Sequence, residues 1–153
     1  VDGDEASNYV AGSFGGAIVR TWQAPDTLHG DQTALVVNWL QGDLDVSSLL
    51  TGGVVAEALY GYESDMSWVS LVRSGGISEG VFDKATFDVE VRAPLEDVAF
   101  TIMQTVRWKL AVVKHHISEI VGSRELYGPA RREDAVNHLS VWGCAWQVTA
   151  RAS

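Results

Sequence analysis

Residues 84–94 constrain this chain more than any other part of it. In Lys84-Ala85-Thr86-Phe87-Asp88-Val89-Glu90-Val91-Arg92, the apolar Ala85, Phe87, Val89 and Val91 alternate with Thr86, Asp88, Glu90 and Arg92. A side-chain period of two describes a strand with one apolar face and one polar face. Ala93-Pro94 then ends the strand and opens a helix, because proline at the first helical position gives up only an N–H that would lack an intrahelical partner. Over residues 95–114, Leu95, Val98, Ala99, Ile102, Met103, Val106, Leu110 and Val113 fall on one stripe when each residue turns the wheel by about 100°. Glu96 and Asp97 in the first turn, with Lys109 and Lys114 toward the end, complement the helix dipole. The stripe must cover the sheet to which the strand belongs. Phe100 and Trp108 project to the side and back of the helix, with Val112 at the stripe's far edge. They need a second cover, from a loop or arm of this chain or from a neighbour, since exposed aromatic patches on small domains mark interfaces.

Upstream, Asp31 is a good N-cap for a short helix through residue 40, with Leu35, Val36, Trp39 and Leu40 on its buried side and Gly42 at its end. Residues 46–50 add one more helical turn. Beyond Gly52-Gly53, residues 54–60 and 66–73 are β-branched, aromatic and flanked by glycine, which predicts two strands joined by a turn at 61–65. Ser74-Gly75-Gly76-Ile77-Ser78-Glu79-Gly80 reads as a flexible loop, either a hairpin tip or a contact arm. After the long helix, residues 117–126 read as a strand, 127–137 as a polar connection around Gly128-Pro129, and 138–150 as the last strand. The apolar phase slips within that strand, from Leu139 and Val141 to Trp142, Cys144, Trp146 and Val148. Gly143 then sits near a bulge, or both faces are covered. The order α-β-β-β-α-β-β predicts an α+β fold: a mainly antiparallel or mixed sheet of about five strands with two helices on one face. Residues 31–153 form one domain, preceded by an extended N-terminal arm at 1–30.

A chain of 153 residues with 46% hydrophobic content suits a single core. No run approaches the ~20 apolar residues of a membrane span, and the first residues lack a basic stretch followed by an apolar one. Neither insertion nor secretion is expected. Charge is uneven: residues 1–65 hold ten acidic side chains against Arg20 alone, whereas residues 66–153 hold ten of each sign, so the net charge of -9 belongs to the first part. Such a surface disfavours a phosphate-gripping role, yet it would let a polyanion slide past without sticking. On charge alone, simple solubility is the more direct explanation. The arm begins with the acidic Val1-Asp2-Gly3-Asp4-Glu5-Ala6-Ser7-Asn8, and Tyr9, Phe14, Ile18 and Trp22 follow among glycines. These four are candidates for docking on a neighbouring subunit, with packing on their own domain as the alternative.

Catalytic and metal-binding patterns are weak. His115 and His116 are adjacent, so on a helix they point about 100° apart and would not chelate one metal together. His138 lies near Glu133 and Asp134, where a polar turn explains the cluster as well as a metal or acid–base site does. Asp88 and Glu90 share a strand face as paired carboxylates would, though alternating surface charge produces the same pattern. Cys144 is a small thiol in an apolar strand, without a disulfide partner. Ser47, Ser48, Ser67 and Ser70 lack a nucleophile signature, and no phosphate-cradling glycine motif is present. No catalytic residue, metal ligand or cofactor is expected.

The chain resembles the tail terminator proteins of long, non-contractile-tailed phages, the family of the phage lambda minor tail protein U. The resemblance rests on Thr86-Phe87-Asp88-Val89-Glu90-Val91-Arg92-Ala93-Pro94, the following helix with Val98-Ala99, Gly128-Pro129, and the closing Trp146-Gln147-Val148-Thr149-Ala150-Arg151. It covers residues 31–151 in element order; residues 1–25 have no counterpart. It implies a non-enzymatic virion protein at the junction of tail and neck, made and assembled in the host cytoplasm. Such a protein forms a ring, usually a homohexamer, that caps the tail tube, stops its growth, meets a head-side connector or stopper protein and lets genomic DNA pass. Heterologous contacts close such a ring, and the segments 74–83, with Ile77, and 127–137, with Arg131 and Arg132, are candidate rim contacts. A connector, a tail tube subunit, a cellular adaptor and a small acid–base hydrolase are the alternatives at this level.

Overall fold

Once paired, the alternating strand becomes the middle of a sheet. The computed structural model describes residues 30–56, 66–133 and 139–152, together with the backbone of two short antiparallel strands, β1 (Ser13–Phe14) and β2 (Ala17–Ile18). The remaining elements are α1 (Gln32–Gly42), α2 (Leu44–Ser47), β3 (Gly53–Val55), β4 (Trp68–Glu79), β5 (Phe82–Ala93), α3 (Glu96–Val112), a 3-10 turn at Val113–His115, β6 (Ile120–Arg132) and β7 (Ser140–Arg151). Five strands form one mixed sheet in the order β3-β4-β5-β7-β6. The β3–β4 pair is parallel and the others are antiparallel. The α+β expectation and the element order therefore hold, with β1 and β2 as short additions and the extra helical turn, expected at 46–50, formed as α2 at Leu44–Ser47.

Strand β5 pairs with β7 from Phe82↔Arg151 to Ala93↔Ser140 without a register shift. Ala85, Phe87, Val89, Val91 and Ala93 all face the helices and are fully buried. Opposite them on β7, Cys144, Trp146 and Val148 complete the floor on which Ala99, Ile102, Met103, Val106 and Leu110 of α3 lie. Burying each of the larger aliphatic side chains contributes about 1.5–3 kcal/mol. Helix α1 adds Val36 and Leu40 to the same core, and its Asp31 cap accepts from the Ala34 N–H at 3.0 Å. The Cys144 thiol lies 3.6 Å from Met103 Sδ, and burial pushes it up to about 12, which leaves it no thiolate near neutral pH.

Several expected boundaries move. Segment 74–83 is not a flexible loop: β4 runs to Glu79, and the turn to Phe82 consists of Gly80 and Val81 alone. Gly80 takes φ 59°, the left-handed conformation a two-residue hairpin turn demands. Pairing with β5 overrides the glycine signal, and a register shift between Arg73 and Gly75 absorbs the misfit. Strand β6 starts at Ile120, after the 3-10 turn, and continues through Gly128-Pro129 to Arg132. It is an edge strand, where proline is tolerated, and its register shifts between Ile120 and Gly122 and on either side of Tyr127. β7 runs in unbroken register with β5, so no bulge sits at Gly143; Val141, opposite Arg92 on the outer face, is buried as Cys144 and Val148 are on the inner one, so both faces are covered there. Strand β3 ends at Val55, and residues 57–65 and 134–138 lie outside the described residues. Helix α3 begins at Glu96, with Pro94 one residue before the cap; Leu95 and Val98 are exposed, while Lys109 is buried. Its alkyl stem lies against the core, and its amine reaches Asp43 at 3.1 Å and Asp45 at 2.8 Å.

Around Asp88 and Glu90 the sheet's other face is polar and is bridged by Arg132. Arg132 donates through Nη1 to Glu90 (2.7 Å) and Asp88 (3.1 Å), and through Nη2 to Asp88 (3.1 Å) and the Tyr127 hydroxyl (3.1 Å). Hydrogen bonding to Asp88, opposed by desolvation and aided by Glu90, holds its pKa above the ordinary arginine value. To reach β5 from β6 the guanidinium must cross β7, and it crosses at Gly143, where a Cβ would overlap it. Glycine there is a clearance, and Asp88 and Glu90 are joined by a cation.

Two substitutions test this arrangement. Ile102→Asp places an unpaired charge under the sheet and should cost more than about 4 kcal/mol, abolishing the cooperative thermal transition; a retained transition would mean that the helix face is misassigned. Gly143→Ala should lower stability by about 1–3 kcal/mol in urea titration, by displacing a charge-assisted bridge. In an Arg132→Ala background the same change should cost little, and an equal cost in both backgrounds would remove the clearance argument.

Candidate functional site

The exposed apolar residues gather at identifiable places. Strand β5 enters the sheet at Phe82 and leaves it at Ala93, so the β4–β5 turn and the start of α3 lie at opposite ends of the β5–β7 pair. At the turn end, Ile77, Val81 and Phe82 are exposed, with Ile77 at 58%. The turn is held from beneath by Asp83, which is buried. Arg73 forks onto its carboxylate at 2.9 and 2.8 Å, the Ser78 hydroxyl donates at 3.2 Å and the Gln32 amide donates to its carbonyl at 3.0 Å. The backbone N–H of Ala152 donates to Val81 O at 2.8 Å, which closes the end of β7 against the turn.

At the α3 end, Phe100 meets Trp142 of β7 edge to face, with ring centroids 5.0 Å apart. Glu96 and Asp97 stand beside this pair and complete an open notch of four residues, Glu96, Asp97, Phe100 and Trp142. Leu95, exposed by 62%, flanks it. The notch is apolar at its floor and acidic at its rim. Arg131 approaches Glu96 at 3.3 Å, but both side chains are more than half exposed, so the pair adds little.

Farther along α3, Trp108 is 55% exposed, and the amine of Lys109 lies 4.1 Å from its ring centroid. Hydrogen bonding to Asp45 first, then to Asp43, raises the Lys109 pKa against desolvation and fixes the cation there. Leu44, between those two acids, is also exposed. This second patch joins α2 to the back of α3.

The residues singled out from sequence thus occupy several surfaces. Phe100 is half-covered by its own chain, through Trp142, a partner visible only once the β5–β7 register is known. Trp108 and Ile77 are open. Arg131 sits beside the notch, whereas Arg132 is taken up within the outer-face bridge. Phe14 and Ile18 belong to β1 and β2, while Tyr9 and Trp22 lie outside the described residues. Among the candidates for chemistry, His116 stacks against Trp39 at 5.4 Å. Asp134 and His138 are outside the described residues, and no group of three or more His, Cys, Asp or Glu among the described residues is arranged to hold a metal. Sequence reasoning missed Leu44, Val81, Phe82 and Trp142; the turn residues were hidden by the assumption of a longer loop.

No family model and no curated protein matches the chain. Its fold is similar to that of a chain in a solved structure described as the virion of a native gene transfer agent (GTA) particle. The TM-score is 0.58 at 15% sequence identity, with 79% of this chain and 95% of that chain covered.

Proposed function

We propose that this chain is a non-enzymatic structural subunit of a phage-like virion, and within that class a tail terminator. Its ring caps the tail tube, stops further addition and presents a surface to a head-side connector while DNA passes through. The observation that carries the reading is the fold likeness, which spans nearly the whole of a chain taken from a virion particle. The strand-proline-helix segment at 84–94 and the closing residues 146–151 give it the terminator assignment by resemblance.

The physical requirements of such a part are modest. A subunit needs contacts on two sides that differ from each other, because identical contacts make a two-fold pair, whereas unlike contacts make a ring. The turn end with Ile77 and the α3 end with Phe100 are unlike in this sense, and the Trp108 patch supplies a further contact. Tyr9, Phe14, Ile18 and Trp22 of the arm add contacts to a neighbour. A wall through which DNA slides must not bind phosphate, and the acidic excess of residues 1–65 meets that need. Capping involves no bond making or breaking; it works by occupying the tube's last surface without recreating it.

The reading is tested by mixing the purified chain with tail tubes and imaging by negative stain. Single rings confined to tube ends are the expected result. Continuous tubes of this chain alone would identify a tube subunit instead, and a chain that ignores tubes would end the virion reading. Trp108→Ala should reduce capped ends severalfold with the thermal melt unchanged, since its side chain lies outside the core; undiminished capping would remove Trp108 from the interface.

A further inference from the structure

Most of the cations among the described residues are satisfied in pairs. Arg73, Lys84, Arg92, Arg107, Lys109, Arg131 and Arg132 each meet a carboxylate within 4.0 Å. Among the described residues, Lys114, Arg124 and Arg151 have no such partner, and Arg124 already donates to Gln147 at 3.1 Å. Arg151 is exposed at the end of β7, paired in register with Phe82 and next to the Val81–Ala152 closure. One end of the sheet therefore carries an apolar turn with an unpaired guanidinium at its base.

The notch at the opposite end offers the complement. Its floor is the Phe100–Trp142 pair, and Asp97 on its rim has no cationic partner among the described residues; its Oδ1 accepts only from the adjacent Val98 N–H, at 3.0 Å. An aromatic floor with carboxylates beside it suits an arginine, which can lie over a ring and bond a carboxylate at once. The same floor suits a small apolar turn. Both surfaces combine exposed apolar side chains with charge, and the charges are opposite.

We infer that the turn end of one copy, with Val81, Phe82 and Arg151, seats in the Phe100–Trp142 notch of a second copy, where Arg151 pairs with Asp97. This deepens the ring reading above and rests on it. The two surfaces lie nine steps apart along β7, from Trp142 to Arg151, or about 31 Å at ~3.4 Å per residue. A contact between them is head to tail: each copy uses one end as donor and the other as acceptor, and neither end is left unused when the chain of contacts closes on itself. The turn is prepared for this role, because Arg73, Ser78 and Gln32 hold Asp83 before any partner arrives. Little ordering cost remains to be met on docking.

The test is a charge exchange on the full chain, read by sedimentation velocity and negative stain with tail tubes. Arg151→Glu alone and Asp97→Arg alone should each abolish the ring while keeping the wild-type thermal melt. Combining them should restore it, because the pair is rebuilt with its signs reversed. Rings that persist in both single variants, or a double variant as dissociated as the singles, would overturn the seat and leave the terminator reading standing. A wild-type chain that never forms rings, alone or on tubes, would overturn that reading and the seat with it. Should one variant fail to fold, the other single variant probes the same contact from its opposite side.

Discussion

The unbroken pairing of β5 with β7 is the constraint on which the remainder of this structure depends. Twelve consecutive pairs, from Phe82↔Arg151 to Ala93↔Ser140, leave no freedom to slip, since a shift of one residue would send Phe87 and Val89 outward and Asp88 and Glu90 into the core. That register also sets the surfaces. It brings Trp142 under Phe100, places Gly143 beneath the Arg132 guanidinium and sets Arg151 beside Phe82. Core and candidate contacts are thus consequences of one alignment.

The two faces of the sheet are finished differently. The inner face is closed by α1 and α3 in an apolar core containing Cys144 and Met103. The outer face is held by charge, with Arg132 spanning from β6 to Asp88 and Glu90 across β7. Breaking that bridge by removing the cation would leave two neighbouring carboxylates on β5 to repel one another, which makes Arg132 a structural residue more than a free surface charge. The carboxylate pair that could have suggested acid–base chemistry is accordingly occupied.

Much of this was legible in the residues, and the exceptions share a cause. The β5 alternation and the α3 stripe announce themselves through local periodicity, and Asp31 caps α1 as its type predicts. Gly75, Gly76, Gly128 and Pro129 each disfavour a strand locally, yet cross-strand pairing carries β4 and β6 through them. By position Lys109 is a dipole partner near the helix end; its burial follows from Asp43 and Asp45, which lie far away in sequence and near in space. Leu95 has the phase of the core stripe, but it precedes the first helical residue and is exposed. The notch was invisible for the same reason as the bridge: Trp142 and Glu96 meet only through the sheet register. Local pattern carries local structure, while contacts between distant segments wait for topology.

The central claim is that unlike ends of one sheet join copies of this chain into a closed ring. Native mass spectrometry of the purified full chain, across a range of concentrations and with tail-tube tips present, addresses it most directly. The account predicts one discrete assembly whose mass is a fixed multiple of 16.6 kDa and which does not grow further as protein is added. A chain that stays at 16.6 kDa throughout, or a ladder of masses that lengthens with concentration, would contradict it.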